Sequence, residues 1–214
     1  MLKDMGLPSP TEERLPRYFR YIAERKEAGQ LTVSSDEIGV ALNLDPAQVR
    51  KDLSMVWGKG RPGVGYEIQP LFRRLEDFLG TRTEKEAVLV GAGKLGTALA
   101  CYAGFERYGL KITAVFDNDP DKIGTDLCGI PVYRDLDLES YLVTHPVLMG
   151  IIAVPAEAAQ KVAEKMALSG VLAIWNFAPK VLKIAGNIIV RNEDLGADLA
   201  VLAYHLTHQI QNND

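Results

Sequence analysis

The chain has 214 residues, 47% apolar and 24% charged, with a formal net charge of −4. That mix excludes disorder over most of the length, and the longest apolar stretch, Val147 to Ala156, is far too short to span a bilayer. Cys101 and Cys128 make neither a disulfide scaffold nor a metal pattern, the start has no apolar signal segment, and the acidic balance argues at first sight against nucleic acid, so we expect a cytoplasmic protein of one large domain or of a small one plus a medium one.

Residues 11–79 read as helices with one Gly-rich interruption. A first helix is predicted over about Thr11–Ala28, with Thr11 or Ser9 as cap, Pro16 near its first turn and Gly29 as its stop. A second starts at Ser34 or Ser35, with Glu37 placed for a capping box, and runs to Leu42. A third opens on Asp45-Pro46, an acidic cap followed by a proline at the first helical position. The tight Asn43-Leu44 link makes the last two a helix-turn-helix candidate.

In the third helix Val49, Leu53 and Val56 point inward, which leaves Gln48, Arg50, Lys51 and Ser54 mostly outside. Gln reads adenine edges, Arg reads guanine, and Lys and Ser hold phosphates. The following WGKGRPGVGYEI, with Lys59 and Arg61, has the glycines and cations of a wing. The competing reading is a plain helical bundle with a solvated charged face.

From Ala87 short β-branched runs alternate with helical stretches, the pattern of βαβ units on a parallel sheet. Strands are predicted at Ala87–Val90, Lys111–Phe116, Val147–Val154, Val171–Asn176 and Asn187–Arg191. Gly91-Ala92-Gly93-Lys94-Leu95-Gly96 follows the first strand directly and opens a helix, which is GxGxxG in its required context. Gly91 permits the tight turn, Gly93 the approach of a pyrophosphate, and Gly96 the close packing of helix on sheet. The second strand ends in Asp117-Asn118, 26 residues beyond Gly91. A carboxylate there accepts from an adenine ribose and repels a 2′-phosphate, so NADH/NAD+ is expected over the phosphorylated cofactor. An empty or CoA-binding variant of the fold is the alternative.

Val154-Pro155 and Asn176-Phe177 end later strands and should line the same cleft near the nicotinamide. The histidines, His145, His205 and His208, make no convincing metal site or catalytic pair, and about 128 residues of sheet domain leave no room for a substrate domain. No catalytic residue is assigned. The last segment places Leu195, Leu199, Leu202, Ala203, Leu206 and Ile210 on one helical stripe.

These residues together resemble the redox-sensing transcriptional repressor family Rex. The resemblance rests on QVRKDLS (Gln48–Ser54), GVGY (Gly63–Tyr66), VGAGKLGTALA (Val90–Ala100), FDNDPDKIG (Phe116–Gly124), AVPAEAAQ (Ala153–Gln160), NFAP (Asn176–Pro179) and Asp194-Leu195, in order over nearly the whole length. It implies an α/β protein with a winged-helix DNA-binding domain at 1–80, a Rossmann NAD(H)-binding domain at 81–192 and a domain-swapped dimerisation helix at 193–214. It implies a homodimer on palindromic double-stranded operator DNA, away from membranes, that releases the DNA when NADH binds. It implies too that Asp194 pairs with Arg20 in the DNA-binding state and with Tyr102, beside the cofactor, when NADH is bound. The chain departs from the family where Val56-Trp57 replaces the usual Phe-Gly and Pro62-Gly63 the usual Arg-Gly, with Arg61 one residue early. The rival from another class is a small NAD-dependent oxidoreductase with a helical N-terminal appendage.

The charge is unevenly spread. Residues 1–80 carry 12 cations and 12 acids, residues 81–214 carry 12 and 16, and Asp45–Tyr66 has four cations against two acids. The acidic total therefore covers a modest basic segment, and base contacts and dimer geometry must supply much of any DNA affinity.

Overall fold

The computed structural model describes residues 9–211, which divide into two compact units between Thr83 and Glu84. The first unit contains α1 (Ser9–Glu27), β1 (Thr32–Val33), α2 (Ser35–Leu42), α3 (Pro46–Val56), β2 (Tyr66–Glu67) and α4 (Ile68–Leu79). Local chemistry sets its helix ends. The Glu37 N–H donates to Ser34 Oγ at 3.0 Å and the Ser34 N–H to the Glu37 carboxylate at 2.7 Å, closing the capping box of α2. The Ala47 N–H donates to Asp45 Oδ1 at 2.7 Å at the start of α3.

Two expectations for α1 change. It begins at Ser9, so Thr11 lies inside the helix and is no cap; its hydroxyl is buried against Asp52. The side chain of the other candidate cap, Ser9, lies outside the described residues. Pro16 consequently sits well inside the helix. The helix tolerates the lost hydrogen bond because Leu15, Tyr18, Phe19 and Ile22 are buried in the unit's core, where Phe19 stacks on Phe72 at 5.1 Å.

The Gly-rich interruption forms a wing. β1 and β2 pair antiparallel, with Val33 opposite Tyr66. Gly65 turns the chain back with φ +87°, and a Cβ there would lie 2.3 Å from the Val33 carbonyl oxygen, so only glycine fits.

The second unit contains β3 (Lys85–Val90), α5 (Lys94–Ala100), a 3-10 helix (Ala103–Tyr108), β4 (Leu110–Asp117), β5 (Asp126–Leu127), β6 (Ile130–Arg134), α6 (Leu138–Thr144), β7 (Met149–Ile152), α7 (Ala156–Leu168), β8 (Ala173–Asn176), β9 (Ile189–Asn192) and α8 (Leu195–Gln211). Its sheet runs in the order β5-β6-β4-β3-β7-β8-β9 and is parallel except for the β5–β6 hairpin. Alternation along β3 sends Ala87 and Leu89 to one face and Val88 and Val90 to the other, and both faces are covered. The chain leaves β3 for β4 on one side and later adds β7 on the other. That reversal opens a crevice beyond the carboxyl end of β3.

The sequence reading missed the β5–β6 hairpin. It turns on Cys128 and Gly129, both with positive φ. The two cysteines also have a partnership that reading did not foresee: Cys101, capping the C-terminus of α5, is disulfide-bonded to Cys128, with their Cα atoms 5.4 Å apart. Every residue of α8 is exposed, including the whole stripe Leu195, Leu199, Leu202, Ala203, Leu206 and Ile210. Among the described residues no helix is long and apolar enough to cross a membrane.

Candidate dinucleotide site and nucleic-acid interface

In the first unit the exposed side of α3 and the wing enclose an open groove of about 720 Å³. Arg50, Lys51, Ser54, Lys59 and Arg61 all line it, with Asp36 as its acid. Arg50 donates from its guanidinium to Ser35 Oγ at 3.0 Å, which holds that head group against α2, and Arg61 pairs with Glu67 at 2.8 Å. Gln48 is the exception. It is half-buried, lies outside the groove lining, and its amide donates to Asp52 Oδ1 at 2.8 Å.

Asp52 is the residue the sequence did not single out. It sits on the inward side of α3, fully buried, and accepts from Thr11 (3.0 Å), Tyr18 (2.7 Å), Gln48 (2.8 Å) and Arg14, whose Nε lies 2.6 Å away. Burial pushes its carboxyl upward, but the bonds from Arg14, Tyr18, Gln48 and Thr11 outweigh that and hold it below the ordinary aspartate value. The same contact raises the Arg14 guanidinium, while burial raises the Tyr18 hydroxyl. One carboxylate thus ties α3 to α1. Its charge is matched below the surface, so it takes nothing from the cations of the groove.

In the second unit the Gly-rich turn lies at the carboxyl end of β3. Gly91 has φ +105°, and a Cβ there would come 2.4 Å from the Ala153 carbonyl oxygen. At Gly96 a Cβ would lie 1.7 Å from the Gly91 carbonyl oxygen, so α5 rests directly on the turn. A Cβ at Gly93 would meet nothing within 4 Å, which leaves the backbone there open to a ligand. Lys94 and Leu95 are exposed on the first turn of α5, whereas Ala92 is buried.

Asp117 lies beside this turn and is mostly buried. Its Oδ2 accepts from the Ala92 N–H at 2.5 Å and its Oδ1 from the Asp119 N–H at 2.9 Å. Lys122, which the sequence reading carried only within FDNDPDKIG and gave no role, stands 3.8 Å from Asp117 and 3.1 Å from Asp119. The bond it donates to Asp119 raises the Lys122 ammonium, keeping it charged. Gly91, Gly93, Asp117, Asn118, Lys122, Val154 and Pro155 line one crevice of about 260 Å³, together with Asp135.

Two expected cofactor residues, Asn176 and Phe177, lie outside the lining of that crevice and have partners within the fold. The Asn176 side chain is fully buried and bonds to the Lys180 carbonyl (2.7 Å), Asn192 (2.9 Å) and the Ala178 N–H (3.1 Å), so it latches the loop after β8. Phe177 is half-buried and packs on Trp175, with ring centres 4.7 Å apart. Trp175 meets Phe105, and Phe105 meets Tyr102, in edge-on contacts of 5.4 and 4.9 Å. Tyr102 is exposed at the corner after α5. Asp194 is exposed and accepts from the Ala197 N–H at 2.9 Å, as a helix cap does, and Arg20 is exposed on α1. Among the described residues no cluster of acids, histidines and cysteines is arranged for a metal.

Residues 6–54 match the family described as a putative DNA-binding protein N-terminus, and residues 82–180 match the one described as a CoA binding domain. The chain is 41% identical over 208 residues to a redox-sensing transcriptional repressor Rex of Pelotomaculum thermopropionicum, covering 97% of this chain and 98% of that one. It is 40% identical over 196 residues to a protein of the same description from Bacteroides fragilis, covering 92% of this chain and 89% of that one. The crystal structure of RSP in complex with β-NAD+ and operator DNA matches with a TM-score of 0.89 at 30% identity, over 97% of this chain and 95% of that one. RSP in complex with β-NADH matches with a TM-score of 0.85 at 29% identity, over 97% and 98%.

Proposed function

The chain belongs to the Rex family of redox-sensing transcriptional repressors, and from that we propose that its first unit grips a palindromic operator, as a homodimer in the cytoplasm, and lets go when the second unit takes up NADH. The observation that carries the reading is the presence in one chain of a cation-lined groove between α3 and a wing and a Gly-rich crevice at the reversal of a parallel sheet. It is a regulator, not an oxidoreductase: relatives matched over nearly their whole length carry the repressor description.

Arg50, Lys51, Ser54, Lys59 and Arg61 make the DNA contacts in this reading, and Gln48 reaches a base only by leaving Asp52. Lys51 is exposed, so its ammonium serves as a phosphate contact. Lys51→Ala is expected to weaken binding on all sequences and to flatten the salt dependence by about one unit per subunit. Titrations at two salt concentrations measure this, and an unchanged slope removes Lys51 from the phosphates.

The Gly91–Gly96 turn with Lys94 and Leu95 receives the pyrophosphate, Asp117 and Asn118 the adenine ribose, and Val154, Pro155 and Phe177 the nicotinamide side. NAD+ brings a charged ring and NADH a neutral one, and an apolar wall favours the neutral ring because burying an unpaired charge is costly. Asp117→Ala is expected to relax rejection of NADPH, since Lys122 is then left facing any 2′-phosphate with one carboxylate fewer beside it. Binding of NADH and NADPH to the variant checks this; unchanged selectivity takes Asp117 off the ribose.

Moving the dimer between its two states requires differential binding of about 5.5 kcal/mol for a 1:99 to 99:1 shift. The family resemblance assigns the switch to Arg20, Tyr102 and Asp194, and all three side chains are exposed. The exposed stripe of α8 is an apolar surface for a second copy to bury, which supports a homodimer with that helix exchanged. The experiment is an operator titration with NADH, with NAD+ and with neither. NADH should lower DNA affinity, and equal affinity in all three arms overturns the reading.

A further inference from the structure

We propose that Cys101 and Cys128 form a reversible thiol–disulfide site through which a hydroperoxide oxidant gives this repressor a second redox input, coupled to the cofactor site. The proposal rests on the cytoplasmic NADH-responsive reading above. In a compartment whose thiols are kept reduced, a disulfide is transient and serves catalysis or sensing rather than scaffolding.

Three observations carry it. The two cysteines are 27 residues apart on different elements, yet their sulfurs are bonded and both residues are exposed, so small oxidants and reductants reach them. Cys128 occupies the first turn position of the β5–β6 hairpin with φ +55°, a conformation that favours Gly, Asn or Asp. A cysteine there works against the turn, whereas a thiol aimed at Cys101 is what the position supplies. Finally, a cleft of about 420 Å³ opens beside the pair and is lined by Tyr102, Phe105, Lys111 and Ile130, giving a small molecule a path to the sulfurs.

The coupling follows from chain position. Cys101 caps the C-terminus of α5, whose other end begins at the Gly-rich turn, so the bond ties that short helix to the sheet edge. The next residue is Tyr102, the first ring of the contact chain through Phe105 and Trp175 to Phe177. Making or breaking the bond therefore changes the freedom of both ends of the proposed cofactor site.

The reaction balances simply. One thiolate attacks a peroxide oxygen, the O–O bond breaks, and a sulfenic acid forms. The second thiol then displaces its oxygen as water. Two thiols and one hydrogen peroxide yield one disulfide and two waters, with two electrons passing from sulfur to oxygen. An external dithiol reverses the step by exchange.

The test uses the full-length protein, reduced with a dithiol or treated with hydrogen peroxide. Alkylation followed by intact-mass measurement reads the bond, and calorimetric titration with NADH reads the coupling. The oxidised form should show no alkylated thiol, and its NADH affinity should differ from the reduced form's by about fivefold or more. Cys101→Ser and Cys128→Ser proteins should each lose the response to peroxide while keeping the affinity of the reduced form. Thiols that stay free in excess peroxide, or equal NADH affinities with and without the bond, overturn the proposal. If NADH binds neither form, the functional reading fails instead, and the coupling built on it fails with it, while the mass measurement still decides whether the thiol site exists.

Discussion

Asp52→Ala is expected to destabilise the N-terminal unit by about 3–5 kcal/mol, the cost of removing one partner from a buried ion pair. In a unit of this size that lowers the melting temperature by roughly 10 °C or more. The loss is large because four donors converge on this carboxylate. Without it Arg14, Tyr18, Thr11 and Gln48 all lose this acceptor at once, and Arg14 keeps a charge without its paired carboxylate. Asp52→Asn keeps an acceptor for Thr11 and Gln48 but not the charge, so its melting temperature should fall between the two. Thermal unfolding of the full chain, followed by circular dichroism and by operator binding at each temperature, measures both variants. A loss below about 1 kcal/mol for Asp52→Ala would show that the node is dispensable.

The same node has a pH signature with a definite sign. Its folded carboxyl titrates below the ordinary aspartate value, so the unfolded chain binds a proton first as pH falls. The stabilisation is therefore complete at neutral pH. It begins to be lost below about pH 4 and disappears as pH falls through the lower folded value. Glu37, held low first by the Ser34 N–H in the capping box, titrates in the same direction. The Asp52→Ala protein should show a flatter loss of stability with acid than the unaltered chain.

The second large effect is at Gly96. Gly96→Ala puts a methyl group 1.7 Å from the Gly91 carbonyl oxygen, a backbone atom that cannot swing aside. Either α5 lifts from the turn or the turn itself deforms. Overpacking of this kind costs about 1–3 kcal/mol and occasionally more. We expect the variant to melt early and to lose NADH binding altogether. Gly93→Ala is the informative partner. A methyl there meets no protein atom within 4 Å, and its φ of −70° suits alanine. It should fold with an unchanged melting temperature and still bind NADH at least tenfold more weakly, about 1.4 kcal/mol, because the methyl fills the space a pyrophosphate needs. Unfolding curves separate the two outcomes from the ligand titration. Gly93→Ala with full affinity would remove the turn from the cofactor site.

Some of this was legible in the sequence because the rules involved are local. The Ser34–Glu37 capping box, Asp45-Pro46 at the head of α3 and the strand-turn-helix around Gly91 each depend on residues a few positions apart. The five predicted strands of the second unit are all present, with ends shifted by at most two residues. The run Val147–Val154, for example, keeps only Met149–Ile152 in the sheet, because a strand extends only as far as its neighbours offer partners.

Features made by pairing were not legible. β1 and β2 have two residues each and exist only because Val33 and Tyr66 meet across 33 positions. The β5–β6 hairpin turns on a Cys-Gly pair whose first position carries no usual turn residue. Helical spacing showed which side of α3 faces the core, and Asp52 looked like any other charge on a polar helix. Only the arrival of Arg14 and Tyr18 from α1 turned it into a buried anchor.

The charge count makes the same division. The sequence order alone located the cations between Asp45 and Tyr66, which the net charge of −4 had hidden. Tertiary structure decided which of them share a groove, which acid is neutralised beneath it, and that Cys101 and Cys128 bond at all. The physical reason is range. Caps, turns and periodicities act over a few residues and can be read in order, whereas buried pairs, strand partners and disulfides depend on which distant segments the core brings within a few ångströms.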